Sequence, residues 1–239
     1  MTDPDPPADP PSPAPLPGGG ADGVAARGAD GAVARRTAVV LAGHRGDASV
    51  VMAARRDPDP GVRAAALGAA ARVGVLDGAA VVDALSDPEP MVRRRAALEA
   101  GRMVGDGPSR TALVEALADP DPTVVEVAAF ANGERPDAGT SAVRRLADVA
   151  GHHDDALCRE AAVAALGAIG HPEGRDAVLA ATGDRATVRR RAVLALAAFD
   201  GEEVTAALQR LTGDRDLQVR QAAEELLSIE AGEHLRDEP

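Results

Sequence analysis

The sequence contains no lysine, tryptophan or tyrosine, two phenylalanines, Phe130 and Phe199, and one cysteine, Cys158. Without lysine there is no phosphate-loop lysine and no Schiff-base chemistry, and without tyrosine no phenolic acid or nucleophile. So few aromatics exclude a sandwich or barrel built on aromatic and β-branched strands. A single cysteine excludes a disulfide framework and a zinc site held by cysteine pairs. The charge-free apolar run Ala161–Gly170 has ten residues, half of what a membrane span needs. The first residues lack the basic start and apolar stretch of a secretory signal, so the cytoplasm is the expected location.

What the chain does have is alanine, 54 residues of 239, and a net charge of −12. Residues 1–30 carry −4 and residues 224–239 carry −5, leaving −3 for the long middle. All 26 basic residues are arginine, but they do not add up to the strongly basic footprint of a nucleic-acid binder. Residues 1–30 are rich in proline, glycine and aspartate with almost nothing apolar to bury, which predicts a disordered, partly polyproline-like tail. Its proline-rich stretch also has the composition of a docking ligand for an aromatic groove. An acidic tail is expected over 230–239.

From residue 31 to 229 the chain repeats itself. Seven segments align on Val33, Val62, Val92, Val124, Leu157, Val188 and Val219, separated by 29, 30, 32, 33, 31 and 31 residues. Within a segment apolar residues recur at i, i+4, i+7, i+8 and i+11, as in Val188, Ala192, Ala195, Leu196 and Phe199, the signature of one amphipathic helix. A shorter stripe lies between segments, for example Val204, Ala207, Leu208 and Leu211. The unit is therefore a helix pair. Asp57-Pro58-Asp59-Pro60, Asp87-Pro88-Glu89-Pro90 and Asp119-Pro120-Asp121-Pro122 join acidic caps to a proline suited to the first helical position. Gly74, Gly105 and Gly170 are expected to close helices in the left-handed conformation. Such short alanine-striped helices bury too little to stand alone, so the pairs must stack into an all-α solenoid of about six repeats plus an N-terminal half repeat.

The segments DPDPGVRAAALG and LCREAAVAALGAIG resemble HEAT repeats of the short, phycobilisome-lyase-like kind. The resemblance implies that the second helix of each pair lines a concave surface. It also implies a ladder between repeats, made by the turn aspartate and the arginine after the anchor valine. The matching residues are Asp57 with Arg63, Asp87 with Arg93 and Asp214 with Arg220, and Asp184 stands one residue nearer to Arg189. The pattern lapses at Val125 and Cys158. A di-iron hydroxylase of similar fold would need histidines where Arg94-Arg95, Arg159-Glu160 and Arg190-Arg191 stand, so that chemistry is excluded. Base-handling HEAT-like glycosylases are a poor match without tryptophan or tyrosine.

His152, His153, Asp154, Asp155 and Cys158 are all ligand types, but neighbouring side chains diverge and no second His/Cys pair stands at a zinc spacing. The expected reading is a polar turn in which Asp154 or Asp155 starts a helix and Cys158 replaces a ladder arginine; no metal and no cofactor is expected. The remaining feature is arginine in first helical turns: Arg35, Arg36, Arg94, Arg95, Arg190 and Arg191. Positive charge there opposes the helix dipole by about 0.3–1 kcal/mol each. An anionic partner segment lying in the groove would offset that, as would the neighbouring acidic turns. The function expected is a non-enzymatic scaffold that binds an elongated, acidic protein segment. The alternative is a lyase-like enzyme, or an accessory subunit, acting on a protein-bound chromophore or other modification.

Overall fold

The structure is a computed structural model; it describes residues 21–103, 105 and 107–237, and side chains within 31–229 of these. Among the described residues there are thirteen α-helices and no strand. In chain order they are α1 (Ala21–Arg45), α2 (Ala48–Ala54), α3 (Pro60–Val73), α4 (Gly78–Leu85), α5 (Pro90–Gly101), α6 (Pro108–Glu115) and α7 (Pro122–Gly133). They continue as α8 (Thr140–His152), α9 (Ala156–Ile169), α10 (Arg175–Ala181), α11 (Ala186–Leu196), α12 (Glu202–Leu211) and α13 (Leu217–Asp237).

Odd-numbered helices stack in one row, α1 on α3 through to α11 on α13, and α4, α6, α8 and α10 stack in a second. Each repeat is an even-numbered helix followed by an odd-numbered one, giving six repeats with α1 as the leading half repeat. This is the expected α-solenoid. Two boundaries differ from the sequence reading. Helix α1 begins at Ala21 rather than after residue 30, because its glycines are outnumbered by good helix formers. Helix α13 runs to Asp237, through most of the segment expected to be an acidic tail. Residues 1–20 of the expected tail lie outside the described residues.

The turns work through their acids. Asp59 accepts from the Val62 amide at 3.0 Å and Pro60 takes the first helical position of α3; Asp121 caps α7 the same way. Gly74 and Gly170 close α3 and α9 at φ 79° and 63°. Gly105 also has positive φ, but α5 ends earlier, at a cap on Arg102. The anchors Val62, Val92, Val124, Val188 and Val219 are buried. Two anchors are misassigned by sequence, each by one residue: Val33 is 53% exposed, the ladder arginine of α1 being Arg35, and Leu157 is 57% exposed against 1% for Cys158, so Cys158 is the true anchor of α9 and Arg159 takes the ladder position.

The ladder itself runs in a different register from the one the sequence suggested. Each arginine forks onto the aspartate of the following turn: Arg35 onto Asp57, Arg63 onto Asp87, Arg93 onto Asp119, Arg159 onto Asp184 and Arg189 onto Asp214, with Nε and Nη2 at 2.7–2.9 Å. The residues first matched as pairs do meet, but through backbone. Nη1 of Arg63, Arg93, Arg189 and Arg220 donates to the carbonyls of Asp57, Asp87, Asp184 and Asp214 respectively. In Arg63, Arg93, Arg159 and Arg189 the fork leaves Nη1 to hold the arginine's own turn, so one side chain ties two repeats together. The rung that is missing has lost both members at once: Val125 fills the arginine position, and His153 fills the aspartate position. His153 Nδ1 accepts the Asp155 amide at 3.0 Å, as Asp57 and Asp119 accept the amides two residues on.

Seams between long helices rest on glycine against alanine. A Cβ added at Gly43, Gly101, Gly133 or Gly167 would lie 2.6–2.9 Å from Ala69, Ala131, Ala165 or Ala195 of the next long helix. These close approaches replace bulky core side chains with short interaxial distances.

Candidate functional site

The odd-numbered helices turn one face away from the second row, and that face encloses a groove of about 800 Å³ running from α1 to α11. Its lining comes from Arg36 on α1, residues 61–65 of α3, 91–98 of α5, 126–133 of α7, 157–168 of α9 and Arg191 on α11, with Glu134 just past α7. Every contributing helix belongs to the long row. Alanines and glycines such as Gly61, Ala64, Ala161 and Ala164 line much of it. Above them stand Met91, Phe130 and Leu157, 45%, 53% and 57% exposed. Three large apolar side chains offered to solvent in one concavity are the mark of a surface that another molecule covers.

The six arginines singled out in the sequence separate into three groups. Arg35 belongs to the ladder, forked onto Asp57, and does not line the groove. Arg190 is likewise spent, with Nε and Nη2 on Asp216 at 3.0 and 2.5 Å; those bonds hold the Asp216 carboxyl down at about 2. Arg95 and Arg191 line the groove with partners, Arg95 on Glu99 at 2.8 Å and Arg191 on Glu160 at 3.5 Å. Arg36 and Arg94 line it, are exposed, and have no ion pair among the described residues. The sequence reading therefore placed two residues too many at the site, because a guanidinium's partner depends on the register of the next repeat.

Several groove residues escaped that reading. Phe130 carries a visible signal: Phe199 ends an apolar stripe eleven residues after its anchor, whereas Phe130 stands six residues after Val124, off that stripe. Leu157 was hidden by the one-residue misalignment. Glu126 and Glu134 line the groove without an ion pair among the described residues, and Glu160 faces Arg191. The groove thus carries guanidiniums towards both ends, Arg36, Arg94 and Arg95 on α1 and α5 and Arg191 on α11, with Glu126, Glu134 and Glu160 between them at α7 and α9.

The polar turn before α9 is occupied by its own hydrogen bonds. Asp155 accepts from the Leu157 amide at 2.8 Å and starts α9, and His152 Nδ1 lies 3.2 Å from the Asp148 carbonyl. Cys158 donates to the Pro122 carbonyl, its Sγ at 3.2 Å, and burial pushes the thiol up to about 11, so it stays protonated at neutral pH and is neither nucleophile nor ready metal ligand. Among the described residues no three histidine, cysteine or acidic side chains converge as a metal site, and no helix is long and apolar enough to cross a membrane.

A family model described as HEAT repeats matches residues 48–133, 78–167, 111–187 and 143–228. Among curated proteins no sequence matches. Solved structures of similar architecture include the Escherichia coli protein YibA, 18% identical, TM-score 0.59, with 74% of this chain aligned to 68% of that one. An engineered protein is 20% identical with TM-score 0.57, covering 76% of this chain and 97% of its own. A designed armadillo repeat protein in complex with the peptide (KR)4 is 16% identical with TM-score 0.56, over 74% and 97%. At these identities the likeness is one of fold.

Proposed function

This chain belongs to the HEAT-repeat family, and from that premise we propose that it is a non-enzymatic interaction scaffold whose groove holds an elongated protein segment. The segment is acidic where it passes Arg36 and Arg94 and apolar where it crosses Phe130 and Leu157. Within the family we assign it to the short, phycobilisome-lyase-like type, on the roughly thirty-residue period and the arginine–aspartate ladder. The observation that carries the functional reading is the pairing, in one groove, of two exposed arginines without ion pairs among the described residues and three exposed large apolar side chains. A partner carboxylate meets those guanidiniums in bidentate geometry, and the apolar contacts supply the buried centre that carries most of the affinity at an interface. Repeat proteins of similar fold support a peptide ligand: one armadillo neighbour is solved with the peptide (KR)4 and another was designed for modular peptide recognition. The charge preference here is the reverse of that for (KR)4 at the Arg36 end.

The test compares native partner capture by the wild type with capture by Arg36→Glu/Arg94→Glu and by Phe130→Asp. Each variant is expected to lower affinity at least tenfold, and the arginine pair should also flatten the salt dependence of binding. Unchanged affinity in both folded variants would overturn the reading, and a measured turnover on a protein-bound chromophore would replace it with the enzymatic alternative.

A further inference from the structure

One seam breaks the packing rule of the long row. Between α3 and α5 the positions that elsewhere hold glycine against alanine hold Ala71 and Glu99, and Glu99 is only 2% exposed. A carboxylate buried at a helix seam is costly unless it is paired. Here it is paired twice, to Arg95 on one side at 2.8 Å and to Arg102 on the other at 3.2 Å. The room for the first guanidinium comes from Gly68 on α3, where a Cβ would run into Arg95. Arg95 Nε, buried against that glycine, has no acceptor among the described residues.

These groups line a notch of about 480 Å³, separate from the groove except for the shared Arg95, and Arg72 of α3 completes it. Arg72 is exposed and makes no ion pair among the described residues. The charge of the lining is three guanidiniums against one carboxylate. One arginine would neutralise Glu99; the notch has two more positive charges than its own structure needs. A site that abandons the local packing rule and carries an unbalanced charge is where function is to be sought.

We infer that the notch formed by Arg72, Arg95 and Arg102 around Glu99 binds a phosphate monoester, whose two negative charges at neutral pH match the excess. Glu99 acts as a positioning residue, fixing two planar donors so that little side-chain order is lost on binding. The ester is carried either by a phosphorylated side chain of a protein segment or by a small free phosphate. The site stands apart from the groove reading, because inorganic phosphate needs no occupant in the groove.

The experiment is titration calorimetry of the full chain, in phosphate-free buffer, with inorganic phosphate and with a serine peptide in phosphorylated and unphosphorylated form. Saturable phosphate binding is expected in the wild type, weakened at least fivefold in Arg72→Gln, Arg102→Gln and Gly68→Ala, and unchanged in Arg145→Gln, whose side chain lies on α8 of the second row. Gly68→Ala keeps every charge and displaces the end of the Arg95 side chain while Arg102 still pairs Glu99, so circular dichroism should show the helical content of the wild type. The phosphopeptide binding more tightly than inorganic phosphate marks a protein source, and equal or weaker binding marks a small-molecule source. No saturable binding by the wild type, or equal binding by all three notch variants, would overturn the assignment.

Discussion

Arg93 shows how much one side chain does in this molecule. It forks onto Asp119 of the following turn and gives its third nitrogen to the Asp87 and Pro88 carbonyls of its own, so its removal strands a largely buried carboxylate and two carbonyls. Arg93→Ala should cost about 1–3 kcal/mol, whereas Arg36→Ala, exposed and without an ion pair among the described residues, should cost under about 0.5 kcal/mol; urea denaturation midpoints of the two variants check this. The missing rung offers a sharper experiment. Val125→Arg alone puts an unpaired charge into a buried position, and Val125→Arg with His153→Asp rebuilds the fork. The double-mutant cycle should return a favourable coupling of about 0.5–3 kcal/mol, and no coupling would mean that the repeat interface there has a different geometry. At this scale residue types were legible in the sequence, and partners were not. Asp57 and Arg63 stand in one repeat motif, yet the fork from Arg63 reaches Asp87, because the solenoid's stacking, absent from any single motif, brings the next turn nearer than its own carboxylate.

The helices were the most legible level, since their apolar period, acidic caps and prolines act locally. Where they were misread the cause is also local. Leu157 and Cys158 are both apolar and adjacent, and only burial tells which faces the core. What no single helix reveals is the glycine–alanine seam. Gly101 lies mid-seam with Ala131 Cβ 2.8 Å and its carbonyl oxygen 2.9 Å from where a methyl group would go. Gly101→Ala should therefore destabilise by about 1–2 kcal/mol, since overpacking outweighs a propensity gain of about 1 kcal/mol. Gly151→Ala, on α8 with nothing within 4 Å, should stabilise by up to about 1 kcal/mol. Thermal melts followed by circular dichroism separate the two signs.

For the whole molecule the ladder sets the response to acid. Hydrogen bonds from Arg35, Arg159 and Arg189 hold Asp57, Asp184 and Asp214 below the usual carboxylate range, and at Asp87 the bonds from Arg63 and the Glu89 amide outweigh an opposing effect of burial. Each folded pKa lies below the unfolded value of about 3.9, so the unfolded chain binds more protons in between. Stability is then complete above about pH 5 and falls as pH drops through the folded values, towards the value of about 2 at Asp216. The melting temperature should be flat from pH 7.5 to 5 and fall steeply from pH 4 to 2, with a shallower fall in Arg159→Ala; an equal slope in that variant would remove the ladder as the cause.

The groove was legible in the sequence, one helix of each pair lining it as the stacking requires and the second helix doing so as the resemblance to HEAT repeats implies. Its charge pattern was not, since Arg35 and Arg190 are withdrawn by Asp57 and Asp216, whose reach depends on stacking. The central claim, that this face of the long row is the binding surface, is tested most directly by photocrosslinking in the native cell, with a benzophenone amino acid placed at Phe130 or at Glu115 on α6 of the second row. The account predicts a discrete protein adduct from position 130, none from position 115, and loss of the first when Arg36→Glu and Arg94→Glu are combined with the probe. An adduct from position 115 alone, or one from position 130 that survives the arginine reversals unchanged, would contradict it.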